Sequence, residues 1–415
     1  METSNSKDKM MNLTLLLDLD DTLLDTNMDA FLGAYFQALA SFLSPYLEPN
    51  KMLASLMKGA QKMMTNLDPR TTLYEVFDPE FYPNFDVDRN ELTSQLDIFY
   101  GDVFPTLESV TNKNEEAIPF VEWAFGQGYR LAIATNPLFP LAAIHHRLRW
   151  AGLPPEKYPF EIVSAYENFH FSKPNSAFYA EIAARMGWPD GAILVVGNDV
   201  KADLTPAQTL GFPTFWIHTE DASPNGFQPT ASGRLADLRP WLEGTDHSTL
   251  EPDVSSPEAL IALMLATPAA ISGLQPSLSK RGQVPGPELK RRPVPNEWSL
   301  TEVLCHLRDT ELEINLPRLH MLLELDEPFI PARNTDMWAL ERNYNDQDAI
   351  LAFGDFLNAR IQLLDVLRSL TDEWQRKARH AIFGPTDLLE LVKFMAEHDK
   401  LHIRQIYTTL GQLSK

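Results

Sequence analysis

The 415-residue chain is poor in what a disulfide scaffold, a membrane protein or a nucleic-acid binder needs. It holds a single cysteine, Cys305, so no disulfide can close within it and an oxidising compartment gains no support. Positive charge is scarce: 35 Lys and Arg stand against 57 Asp and Glu, a formal charge of −22. DNA, RNA and anionic lipid select clustered cations, so the reading is no nucleic acid and no membrane as partner. The first residues, METSNSKDKM, lack the apolar stretch of a signal peptide. The apolar run Leu13 to Leu17 is far short of the ~20 residues that cross a bilayer as a helix. The expectation is a soluble cytoplasmic protein.

What is present is a folding composition, 44% hydrophobic and 10% aromatic, in a chain long enough for two or three domains. Leu13 to Leu17 reads as a buried parallel strand ending in acidic residues. From Asp29 to Phe104 the apolar spacing is helical, carried by Phe31, Tyr35, Leu39 and Phe42, then by Met52, Leu56, Met63 and Met64, with no clear strand. Strand and helix then alternate. Strands are expected at 131–134, 161–164, 193–196 and 214–217, and helices at 117–125, 141–150 and 176–186. Such alternation implies an α/β fold, a parallel sheet with helices on both faces. After Trp241, GTDHSTLEPDVSSPE is polar and aperiodic and reads as a linker. Beyond it no strand is convincing. Helical stretches at 257–271, 300–325, 347–370 and 386–410 suggest an all-α four-helix bundle.

The segment LLLDLDDTLLD ends an apolar strand in carboxylates. Asp18 and Asp20 lie two apart, and Thr22 follows. Two carboxylates and a backbone carbonyl can hold a hard cation such as magnesium. One carboxylate can attack phosphorus and the other can donate a proton. The bland alternative is a helix cap by Asp20 or Asp21. Three later segments favour chemistry. LAIATNP ends a strand in Thr135 and Asn136, suited to phosphate oxygens. SKP sets Lys173 just before a helix, where an ammonium balances anionic charge. ILVVGNDVKAD ends a third strand in Asn198, Asp199 and Asp203, suited to a metal. Turn residues, a surface lysine or a solvated acidic loop explain each one singly. The joint occurrence at strand C-terminal ends, where ligands of open parallel sheets bind, is harder to explain away.

The order DLDDT, ATN, KP, GNDVKAD resembles the haloacid dehalogenase superfamily of phosphohydrolases, over about residues 10 to 243. The resemblance implies a Rossmann-like core with a helical cap, here about 26–115. It implies Asp18 as nucleophile, Asp20 as general acid and base, and Thr135 and Lys173 as phosphoryl binders. The family's last motif carries aspartate directly after the glycine, where this chain has Asn198 and then Asp199. Either one completes the magnesium set of Asp18, Asp20 and Asp203. A proton donor at Asp20 argues for a phosphoester and against a halide, which leaves without a proton.

In the last third, His398 and His402 stand four apart, on one helix face, and His306 lies on another expected helix. Three converging imidazoles would make a metal site suited to Zn2+, Ni2+ or Fe2+. A surface or capping coincidence is the plain alternative. His320 and His380 have no comparable partner. Cys305 points about 100 degrees from His306 and reads as a buried structural thiol. Trp298-Ser299, Glu302, His306, Tyr344, Phe383-Gly384, Thr386 and His398-Asp399 with His402 resemble the DinB-like four-helix-bundle family, over about residues 257 to 415. That resemblance implies a metal triad of His306, His398 and His402, and members that include metal-dependent thiol transferases and hydrolases. The domains expected are thus 10–243, a linker 244–256 and 257–415.

Three readings follow. The first is a magnesium-dependent phosphatase for a small phosphorylated metabolite, with a metal-binding bundle. The second is a bundle-borne thiol transferase or hydrolase with a regulatory first domain. The third is a non-enzymatic sensor or interaction protein. Any self-assembly is expected as a homodimer through the bundle.

Overall fold

The computed structural model describes residues 13–219, 223–224, 226–274 and 287–413. Residues 10–12, where the first domain was expected to begin, lie outside the described residues. The chain divides into two compact units. One is built from the chain through Ile182 with Pro189–Val254, the other from Ala183–Trp188 with the chain from Ser255 onward.

The first unit is organised by a six-stranded sheet of order β5-β4-β1-β6-β7-β8. Its strands are β1 (Leu13–Leu17), β4 (Arg130–Ile133), β5 (Ile162–Val163), β6 (Ala192–Gly197), β7 (Thr214–Ile217) and β8 (Ala231–Gly233). All adjacent pairs are parallel. Every residue of β1, β6 and β7 is buried, as expected for parallel strands covered on both faces. The edge strand β8, sequence ASG, carries no apolar run and was not foreseen.

The chain leaves the sheet after β1 into β2 (Leu24–Thr26) and returns through β3 (Thr111–Lys113), which pairs antiparallel with β2. This two-stranded clasp brackets the cap. The cap holds α1 (Met28–Leu43), α2 (Pro49–Met64), α3 (Leu73–Phe81) and α4 (Arg89–Ile98). Helix α1 buries Phe31, Tyr35, Leu39 and Leu43 on one stripe. Helices α2 and α3 pack closely because residue 59 is glycine. A Cβ there would lie 2.5 Å from the Phe77 ring. The core helices are α5 (Ala117–Gly126), α6 (Leu141–Trp150), α7 (Ser176–Arg185), α8 (Thr205–Thr209) and α9 (Leu235–Gly244). The polar segment read as a linker is partly packed: a 3-10 turn, His247–Leu250, buries both end residues. Aperiodic polarity concealed two anchoring side chains.

The second unit contains α10 (Pro257–Ser272), α11 (Leu300–Thr310), α12 (Leu316–Glu324), α13 (Trp338–Glu341), α14 (Ala349–Ser369) and α15 (Leu388–Leu413). The helix expected over 300–325 is split by a π-helical turn, Glu311–Asn315. Pro317, at the start of α12, has no N–H for the preceding turn, which widens the ladder. A small sheet corrects the expectation of an all-helical end. It is formed by β9 (Phe329–Ile330), β10 (Lys377–His380) and β11 (Gly384–Asp387), in the order β11-β10-β9. These strands are two to four residues long, too short for a period to show. The last helix therefore starts at Leu388, and Thr386 lies on β11. Among the described residues no helix is long and apolar enough to cross a membrane.

Candidate functional site

In the sheet, Leu17 pairs with Ile133 on one side and Val196 on the other. The three strands therefore end level, and residues 18, 134–136 and 197–199 leave the sheet at one edge. The Asp18 amide donates to the Val196 carbonyl at 2.9 Å, and the Ala134 amide to Leu17 at 2.7 Å. These bonds fix where the carboxylate starts.

Asp18 is 7% exposed. Its Oδ1 accepts from Lys173 Nζ at 2.6 Å, and its Oδ2 has a long contact of 3.4 Å from the Thr22 hydroxyl. Lys173 Nζ also donates to Asp203 Oδ1 at 2.5 Å. Burial works against charging Lys173, but Asp18 and Asp203 outweigh it and hold the ammonium above its ordinary range. Asp203 is held above the usual carboxylate range, by burial first and by repulsion from Asp18 second. It sits on a π-helical turn, Val200–Leu204. The turn can press against β6 because residue 197 is glycine: a Cβ there would lie 2.4 Å from Asp203 Oδ2.

Asp199 does something else. Its Oδ1 accepts from the amides of Lys201 at 2.7 Å and Ala202 at 2.9 Å, capping that turn, and the residue is exposed. Asn198 accepts the Trp216 indole N–H on its backbone carbonyl at 2.9 Å and lines a polar hollow of about 590 Å3. Asp21, Asp25, His218 and Arg234 share that hollow, and Asp18 lies outside its lining.

Asp20 accepts from the Thr26 hydroxyl at 3.0 Å and is in ion-pair contact with Arg147. Arg147, on α6, is 2% exposed and had no signal in the sequence beyond its charge. Burial pulls its guanidinium down to about 10, against an upward push from Asp18. The Phe31 and Phe139 rings lie 5.5 and 5.6 Å from it. The bridge at Asp20 uses the Leu19 carbonyl and the Asp21 amide, not the Asp20 carbonyl. Thr135 is 1% exposed, and its carbonyl accepts from the Ser164 hydroxyl at 2.6 Å. Asn136 Oδ1 accepts the Lys173 amide at 3.3 Å. The sheet edge thus gathers Asp18, Asp20, Thr135, Asn136, Lys173 and Asp203.

These residues suit a divalent cation. Asp21 is also held above its usual range, by burial first and with Asp18 among the lesser causes. Negative charge at this edge is under-compensated, and a hard cation would relieve the repulsion.

In the bundle, α11 supplies His306 and α15 supplies His398 and His402. Their Nε2 atoms face one another, 3.0 Å from His306 to His398 and 3.1 Å from His402 to His398. This is the tight three-ligand cluster among the described residues. Burial lowers His306 and His398 to about 3, His306 further by His402 and His398 and His398 further by His402 and Arg360, and burial lowers His402 as well. The ring nitrogens are therefore neutral. Gln405 Oε1 lies 2.9 Å from His402 Nδ1. A carbonyl oxygen only accepts, so Nδ1 carries the proton and Nε2 offers its lone pair inward. Three imidazole nitrogens facing one another are the donor set of a transition metal.

The Trp298 ring lies 5.0 Å from His306 and parallel to His402 at 6.2 Å. Ser299 and Glu302 form the capping box that starts α11. Below the cluster, Arg360 is fully buried between Glu311 and Asp399, a network that sequence reasoning missed. Cys305 is buried beside the Tyr344 carbonyl, and burial pushes its thiol up to about 11. His380 accepts the Ile382 and Phe383 amides and shapes the β10–β11 turn, and His320 is exposed.

Residues 13–211 match the family model of the haloacid dehalogenase-like hydrolases, and residues 282–406 match that of the DinB superfamily. The two matches cover separate stretches of the chain. No curated protein matches it. Among solved structures, it is similar to a HAD phosphatase from Thermococcus onnurineus, with 20% identity, coverage of 56% of this chain and 99% of that one, and TM-score 0.37. YfnB of Bacillus subtilis, described as a HAD-hydrolase bound to magnesium, matches at 23% identity over 56% and 99%, TM-score 0.36. The four-helix-bundle protein YfiT of Bacillus subtilis matches at 18% identity over 39% and 91%, TM-score 0.31.

Proposed function

We propose that the first unit is a magnesium-dependent phosphohydrolase acting on a small phosphoester through Asp18. The observation that carries this reading is the Asp18–Lys173–Asp203 chain of contacts at the sheet edge, with one Asp18 oxygen held by Lys173 and the other nearly uncommitted. Asp18 Oδ2 attacks phosphorus, the bond to the leaving oxygen breaks, and Asp18 carries the phosphoryl group. Asp20 gives its proton to the leaving oxygen. It then takes a proton from the water that attacks phosphorus and frees Asp18 with release of phosphate. Arg147 is in ion-pair contact with Asp20 and favours its carboxylate form, which suits the second, proton-accepting step; for the first step Asp20 takes up a proton from solvent as that contact loosens. Lys173 and the Thr135–Asn136 loop stabilise the phosphoryl oxygens. The Asp18 carboxylate, the Asp20 carbonyl, Asn198 and Asp203 would hold the magnesium. Asp199 is the weaker candidate, because its carboxylate caps its own turn. Bound magnesium would neutralise phosphate charge that Asp18 otherwise repels.

The test is phosphate release from a panel of small phosphoesters by the full chain with magnesium. Turnover that disappears in Asp18→Asn supports the reading. A silent panel removes it.

A second reading rests on the histidine cluster: the bundle binds a transition metal through His306, His398 and His402. Metal analysis of the purified chain and of His398→Ala tests it. Equal metal content in the two contradicts it.

A further inference from the structure

The cap encloses a pocket of about 270 Å3, just below the usual range for ligand sites and sized for a small group. Its wall is almost wholly apolar, including Leu32, Leu56, Ala60, Met63, Phe77 and Phe139. Met57 and Met64 also line it and are 53% and 43% exposed, so the pocket opens between two adaptable side chains. Two of its polar atoms are already committed: the Tyr35 and Tyr100 hydroxyls bond each other at 2.8 Å. Burial pushes the Tyr35 hydroxyl up to about 12, in keeping with apolar surroundings.

The pocket is tied to the phosphate side of the site by sequence and by contact. Leu138, Phe139 and Pro140 form part of its wall and closely follow Thr135 and Asn136. Asn136 and Phe139 are three positions apart, so their backbones lie within about 10 Å. Phe139 also meets the guanidinium of Arg147, which holds Asp20. A leaving oxygen near Asp20 would put its carbon skeleton toward this wall.

We infer that the pocket receives the carbon skeleton of the substrate, which is the monophosphate ester of an apolar alcohol. This rests on the phosphohydrolase reading above. A sugar or nucleoside would bring many hydroxyls and ring nitrogens to a wall whose remaining polar groups are the Tyr82 and Tyr166 hydroxyls, too few to pair them, and each buried unpaired polar group is costly. An alkyl or aryl group brings none and gains from burial.

The experiment measures kcat/KM of the full chain with magnesium on n-alkyl monophosphates from methyl to octyl, with glucose 6-phosphate alongside. The expected result is a rise of about threefold per added methylene until the pocket fills, with glucose 6-phosphate far below octyl phosphate. Ala60→Trp, which fills the pocket, lowers kcat/KM for octyl phosphate at least about tenfold more than for methyl phosphate. Leu56→Gln, which places an amide on the wall, does the same by another route and stands in if the tryptophan variant does not fold. A flat series, or a preference for glucose 6-phosphate, overturns the inference and leaves the phosphohydrolase intact. No phosphate from any ester overturns both.

Discussion

Asp18 and Asp20 lie two residues apart yet are held by different cations, and this separates what their removal does. Lys173 bonds both Asp18 and Asp203, so Asp18→Asn leaves the ammonium with a partner. Its folding stability is expected within about 1 kcal/mol of the parent, while turnover falls at least about a thousandfold. Arg147 is 2% exposed with Asp20 as its ion-pair partner, and its Nε has no hydrogen-bond partner among the described residues. Asp20→Asn therefore strands a buried guanidinium, at a cost of about 3 kcal/mol in denaturant unfolding. Equal stability of the two variants would show that Arg147 does not depend on Asp20. In the bundle, Gln405 fixes the proton of His402. Gln405→Leu should weaken metal binding about tenfold or more in chelator competition, with the three ligands intact. Unchanged affinity would show that the tautomer is set elsewhere.

At the scale of elements, the turn after β6 is the part most exposed to a small change. Gly197→Ala would drive a methyl into Asp203, 2.4 Å from its Oδ2, and displace the carboxylate that shares Lys173. The account predicts a loss of kcat of at least about tenfold with the fold retained, measured by turnover beside circular dichroism. The sequence showed much of this. Buried strands β1, β6 and β7 are apolar runs that end in polar residues, and that pattern places Asp18 and Asn198 without coordinates. Arg147 was illegible because the two arginines of HHRLRW, Arg147 and Arg149, both look like parts of a solvated face. In the fold it is buried, with the Phe31 and Phe139 rings and Asp20 against it. The capping role of Asp199 was equally hidden, since sequence cannot say which way a carboxylate turns. The strands β9 to β11 and the π-helical turn at 311–315 were missed for want of length and of any period.

For the molecule as a whole, two kinds of donor sit in two separately packed units. Oxygen donors gather at the sheet edge and imidazole nitrogens in the bundle, and these select different ions. Replacing His398 and His402 with alanine should abolish transition-metal content and leave magnesium-dependent hydrolysis within about twofold. Loss of hydrolysis with the histidines would instead join the two sites in one activity. The central claim, that the carboxylate of residue 18 takes the phosphoryl group, can be observed directly. Asp20→Asn is mixed with magnesium and p-nitrophenyl phosphate, whose leaving group departs without a proton, and is acid-quenched and mapped by peptide mass spectrometry. The account predicts a phosphoryl group on the peptide containing Asp18, accumulating because the amide that replaces the Asp20 carboxylate cannot activate water. Nitrophenol release with no phosphorylated peptide, or with the group on another residue, would contradict it.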